Sequence, residues 1–196
     1  MSLSNVDVTK EQLSYSVGLY FNRSEVSVVA TLVFSAHGIL IGLLKNKDCF
    51  RDWMQKDHPQ LESKEIWATW NEEWGFLKHA RRGVVSRDIN EDFVEKILFT
   101  AIHDFQSLRE KLNDNSLPKS SLEMETYQLW FYAKNSEIFN CSKSKDIIKN
   151  ADDLFPNIRD MSKNKQIEYG KRVLEKLKKD TVSTAEDAIN IHDIRR

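Results

Sequence analysis

From Val26 to Leu44 the chain runs nineteen residues, "VSVVATLVFSAHGILIGLL", without a formal charge. A segment of that length and polarity must leave water over most of its surface, in a bilayer or in a protein core. Ser27, Thr31, Ser35 and His37 interrupt it, and charge-rich segments surround it. That setting favours the central helix of a soluble bundle over a membrane span. Val26 to Val33 is β-branched and suits a strand by propensity, but the run's length and lack of turn residues favour helix.

The rest of the chain agrees. Among 196 residues there are 6 glycines and 3 prolines. Folds rich in strands need many turns, and turns use those two residues. Helical spacing predicts a first helix from Thr9 to Phe21 and a second from Glu25 to Lys45, N-capped by Ser24. "DCFRDWMQKDHPQ" reads as a short helix ended before Pro59. A helix from Ser63 to Arg82 follows, with Gly83 as its C-terminal cap. Asn90 caps a long helix from Glu91 to Asn113, and another spans Leu122 to Phe139. A short helix and a longer one, from Lys163 to Lys179, complete the pattern before a weak tail. The expected fold is all-α: an up-and-down bundle over residues 1–140, with a helical extension over 141–196 packed on it.

Charge and cysteines exclude some functions. The net charge of −1 gives no overall attraction to nucleic acid or acidic lipid. The N-terminal residues are polar and read as no signal peptide. Cys49 and Cys141 match no metal or redox spacing and read as buried thiols of a reducing cytoplasm. There is no HExxH, no Cys/His cluster, no glycine-rich phosphate loop and no serine elbow. No metal and no cofactor are expected.

One helix concentrates chemistry. On the wheel of Ile66 to Arg82, Trp67, Trp70, Trp74 and Leu77 form an apolar stripe. Asn71, Gly75, Lys78 and Arg82 form another, with His79 at its edge. A mid-helix glycine costs roughly 1 kcal/mol relative to alanine, and often marks close approach by a backbone or ligand. An amide, an imidazole and fixed cations around it can hold a phosphate. The plain alternative is that "KHARR" favours the helix dipole and bonds the last carbonyls.

The motifs "AHGIL", "DHP", "W…N…FLKHA", "INEDFVEKILFTAIHDF" and "YQLWFYAKNSEIF" occur in that order from Glu11 to Phe139. In this they resemble a group of small, largely uncharacterised bacterial helical proteins with an "N…FFKHAD" segment. That group is distantly similar to HEPN domains, helical bundles found among metal-independent RNases, toxins and nucleotide-binding modules. In those RNases an arginine holds the phosphate near a dimer cleft, and a histidine assists attack by the RNA 2′-hydroxyl. Asn71, Lys78 and His79 match the bacterial pattern. Gly75 stands in place of its asparagine, and Arg81 in place of its acidic residue. Arg51 and His58, with six residues between them, fit the RNase spacing and form a secondary pair. The resemblance implies a cytoplasmic homodimer that binds phosphate, nucleotide or RNA without a membrane. For an RNase it implies His79 as acid or base, Asn71 orienting, and Lys78, Arg81 and Arg82 on phosphate. The alternative is a non-enzymatic interaction or dimerisation module with a protein partner; a small-molecule-binding bundle is a third reading.

Other histidines read as structural. His37 lies on the stripe Val33, His37, Leu40, Leu44 and reads as a core or subunit-contact residue that needs one hydrogen-bond partner. His103 and Asp104 are adjacent on a helix, so they are not a ready dyad. His192 reads as solvated. From Lys143 to Lys179 there are 11 basic against 6 acidic residues, a net of +5. That is a solvated face, or a surface for RNA or an acidic partner.

Overall fold

Ser4 starts the first helix. In the computed structural model, residues 4–44, 89–139 and 145–193 are described, with side chains to 181. They form six α-helices and one 3-10 turn, with no strand among the described residues. The all-α expectation holds. The helices are α1 (Asn5–Phe21), α2 (Val26–Leu43), α3 (Glu91–Lys111), α4 (Leu122–Lys134), α5 (Lys145–Leu154) and α6 (Lys163–Asp193). The chain divides into two compact units, Met1–Ser121 and Leu122–Arg196. The division falls ahead of α4, whereas the sequence reading ends its first domain at residue 140. The expected helices of residues 48–60 and 63–82, with their tryptophan stripe, and both cysteines lie outside the described residues.

Caps explain where the helices begin and end. Ser4 Oγ accepts from the Asp7 amide at 3.2 Å, and the Asp7 carboxylate accepts from the Ser4 amide at 3.2 Å. This capping box satisfies two donors reciprocally and starts α1 ahead of the expected Thr9. The Ser4 hydroxyl and amide both favour the charged carboxylate and hold the Asp7 pKa below its ordinary value. Asn90 caps α3 as expected, its Oδ1 accepting from Asp92 and Phe93. Ser24 does not cap α2. The cap position is Glu25, which makes no side-chain cap bond.

Two helices end in the same way. The Ser24 amide donates to Leu19 O and the Arg23 amide to Tyr20 O, each at 3.0 Å. The Asp114 and Asn113 amides repeat the pattern on Arg109 O and Glu110 O, at 3.0 and 3.1 Å. Both are Schellman motifs, which require a left-handed residue just past the helix. Arg23 (φ 56°) and Asn113 (φ 50°) supply it. Asparagine tolerates that conformation; arginine is strained there.

The first unit packs α1, α2 and α3 against one another. Val6, Leu13, Val17, Tyr20 and Phe21 of α1 are buried at helical spacing. So are Val29, Ala30, Val33, Phe34, Ala36, His37 and Leu40 of α2. α3 is buried further round, through eleven residues from Val94 to Leu108. The sequence reading makes the uncharged helix central, but Ser27, Val28, Thr31, Gly38 and Gly42 of α2 are exposed. Val26–Leu43 remains, among the described residues, one helix long and apolar enough to cross a membrane, at a mean hydropathy of 2.1.

The second unit is organised around Trp130, which is fully buried on α4. Its indole Nε1 donates to Gln166 O at 2.8 Å, and Gln166 Nε2 donates to Ile158 O at 3.0 Å. That chain ties α4 to α6 and to the 3-10 turn Ile158–Asp160. α4 ends at Lys134 rather than Phe139. Residues 135–139 turn back so that Phe139 packs edge-on against Tyr132, ring centroids 4.8 Å apart. α6 runs on to Asp193 and carries His192 on regular helix, where the sequence reading places a weak tail.

Both kinds of joint can be tested by stability. Arg23→Gly relieves the left-handed strain and raises unfolding free energy by up to about 1 kcal/mol, read by urea titration. Trp130→Phe keeps a ring but leaves Gln166 O without its donor, and costs about 1–3 kcal/mol in the same measurement.

Candidate functional site

Asp104 sits on the apolar stripe Ile97, Ala101, Asp104, Leu108 of α3, where every other member is a hydrophobic core residue. The helix therefore carries a carboxylate into the core, and its exposure is 0%. A carboxylate removed from water is costly unless a partner balances it. Two imidazoles approach it. His37 of α2 places Nε2 3.6 Å from Oδ2, and His103 places Nδ1 4.0 Å from Oδ1. Each carboxylate oxygen thus faces a different ring. Both distances lie beyond a hydrogen bond and within ion-pair range. Either imidazole supplies the balancing charge when protonated.

The two rings differ in access. The His37 side chain is 3% exposed and the His103 side chain 35%. The core reading of His37 holds as to place, and its facing partner is Asp104 on the neighbouring helix. His103 and Asp104 are closer than adjacent helix positions suggest. Their backbone directions diverge by about 100°, but both side chains bend to the edge that the two positions share.

A second buried carboxylate lies on the same helix. Glu95 is 4% exposed and accepts a 2.6 Å hydrogen bond from the Tyr20 hydroxyl of α1. Sequence reasoning sets Asp104 aside as no ready dyad with His103 and passes over Glu95. A signal exists: each falls at apolar spacing, Asp104 as above and Glu95 with Leu98, Ile102 and Phe105. Such positions hold a charge only when another helix supplies its partner.

The sequence-derived site residues Asn71, Lys78, His79, Arg81 and Arg82, and the secondary pair Arg51 and His58, lie outside the described residues. The residues that the structure does bring together come from two of the quoted motifs: His37 from "AHGIL", His103 and Asp104 from "FTAIHDF". Chemically, a carboxylate behind the Nδ1 edge of a partly exposed imidazole can fix that ring's orientation. The described residues hold no group of three or more His, Cys, Asp or Glu placed to bind a metal ion.

Removing one partner of a buried polar pair leaves the other unsatisfied, whereas replacing both with apolar groups does not. Asp104→Ala should cost about 1–3 kcal/mol. The double variant His37→Leu, Asp104→Leu should recover most of that loss. Urea titrations of the variants measure both.

No protein-family model, curated protein or solved structure matches the chain.

Proposed function

We propose that this chain is an HEPN-like helical protein that acts on RNA by metal-independent acid–base chemistry. The observation that carries this reading is the meeting of two separate motifs at Asp104. One brings His37 and the other His103, 3.6 and 4.0 Å from the same carboxylate. Cleavage by attack of the 2′-hydroxyl needs a group to take a proton and another to return it. Histidine does both near neutral pH. His103 is partly exposed, and Asp104 faces its Nδ1. The ring's Nε2, on the far side, is the nitrogen suited to proton transfer. On the family resemblance, His79 is the second acid or base, with Lys78, Arg81 and Arg82 on the phosphate and Asn71 orienting it. The protein acts as a cytoplasmic homodimer in this reading.

A second reading rests on a specific observation. Asp104 and the His37 side chain are 0% and 3% exposed, too buried to touch a substrate. A buried polar pair can instead specify how α2 and α3 dock. The protein is then a non-enzymatic interaction module.

Cleavage of single-stranded RNA in excess chelator separates them. The enzymatic reading expects cleavage that leaves 2′,3′-cyclic phosphate ends. It expects His79→Ala to abolish that cleavage and His103→Ala to lower it by about 10²-fold or more. A folded wild-type protein that leaves RNA intact, or cleavage untouched in both variants, overturns it.

A further inference from the structure

In the second unit, the start of α6 and the turn before it border a shallow, open groove of about 400 Å³ lined by Pro156, Met161, Tyr169, Arg172, Val173 and Lys176. Asn157, in the left-handed conformation at φ 58°, turns the chain at the groove's edge. Tyr169 is held edge-on against buried Phe155, ring centroids 5.6 Å apart. The Arg172 guanidinium lies 5.6 Å from the Tyr169 ring centre. The groove thus combines apolar walls, a braced aromatic ring and a guanidinium stacked beside it.

The groove lies on a longer stripe. Lys165, Tyr169, Arg172, Lys176 and Lys179 are spaced four, three, four and three along α6. They fall within about 80° of the helix wheel. The four cations are exposed, and none makes an ion pair among the described residues. Their neighbours differ. Lys171 pairs with Glu175 at 3.9 Å, Lys178 with Glu123 at 2.6 Å, and Arg159 with Asp152 at 3.7 Å. Glu168 and Glu175 edge the stripe and Asp180 ends it, but no acid lies within it. An ordinary solvated helix face interleaves its charges. This one sorts them, with Glu175 paired to Lys171 at the edge and a row of cations left beside an apolar hollow.

We propose that this groove and stripe bind single-stranded nucleic acid. Its phosphates run along Lys165, Arg172, Lys176 and Lys179, and a base enters the hollow against Tyr169 and Arg172. A row of cations with a stacking platform is the general means of holding a single strand without regard to sequence. The concavity matters to the choice of ligand. An acidic peptide needs only the cations, and a lipid surface needs a protruding apolar edge rather than a hollow one. The inference does not rest on the acid–base reading of the first unit.

The test is fluorescence anisotropy of the full chain with fluorescein-labelled oligo(dT) of roughly 12 nucleotides, titrated at several salt concentrations. That probe lacks the 2′-hydroxyl, so binding is read apart from cleavage, and the two proposals fail separately. Binding should weaken at least tenfold in Arg172→Gln, Lys176→Gln. The slope of log affinity against log salt should fall by about 1.4 in that variant, because two fewer phosphates are neutralised. Tyr169→Leu should weaken binding about tenfold while leaving most of the salt slope. Both charged side chains are exposed, so the double variant keeps the fold, and circular dichroism checks Tyr169→Leu. The proposal is overturned by absence of binding at low salt, or by unchanged binding in the double variant. Equal binding of the same oligo(dT) annealed to oligo(dA), of polyglutamate or of phosphatidylserine vesicles would also overturn it, because each removes the need for the hollow.

Discussion

The first unit depends on a carboxylate that water does not reach. Asp104 lies within the packing of α3, and a carboxyl group in that position needs polar partners beside it. His37 therefore ties the register of α2 to α3 through a polar contact as well as through the surrounding valines, leucines and phenylalanines. A slide of one turn along either helix, about 5.4 Å, would separate the pair and strand the carboxylate in the core. Apolar packing alone tolerates such slides better, because one aliphatic neighbour replaces another. Tyr20 and Glu95 impose a similar condition between α1 and α3. Two hydrogen-bonding or ionic links thus fix three helices whose apolar faces only attract.

The second unit solves the same problem with a neutral group. Trp130 brings a large apolar area into the core, and its N–H must find an acceptor there. Gln166 provides the acceptor from its backbone and passes the connection to Ile158 through its side chain. One buried chain of hydrogen bonds thereby positions α6 and the turn before it. The walls of the basic groove come from those two elements. The exposed chemistry of α6 therefore sits on a frame set by a buried indole.

Much of this fold is legible in the chain, for identifiable reasons. Scarce glycine and proline point to helices, and the Asn90 cap needs only local sequence. The Ser4 capping box is equally local but escapes a reading by periodicity, because the apolar pattern that marks α1 begins after it. The end of α4 is not legible. "YAKNSEIF" continues a helical pattern, and only the packing of Phe139 back on Phe131 and Tyr132 turns the chain at Lys134. The basic row on α6 is visible as net charge. Its sorting is not, since that depends on which acids pair with which lysines across elements. The His37–Asp104 contact is hidden for the same reason. A charge on an apolar stripe announces that a partner exists, but the partner's identity is a tertiary fact.

The uncharged run that most constrains the sequence shows where such reading stops. Its hydropathy suggests a helix surrounded by protein, yet α3, with eight charged residues from Glu91 to Lys111, is the more deeply buried. Hydropathy records what each residue is and not how far it protrudes. Four of the five exposed residues of α2 are the small Ser27, Thr31, Gly38 and Gly42, the fifth being Val28, and a Cβ added at either glycine would meet nothing within 4 Å. The small residues present little apolar area to be covered, and the valines, leucines, isoleucines and Phe34 of the rest supply the high mean. α3 places its exposed charges at its ends and at Lys96, and takes two carboxylates inside with their partners. A helix becomes central through the sides on which it can be satisfied. For α3 those sides include Tyr20 of one neighbour and His37 of the other.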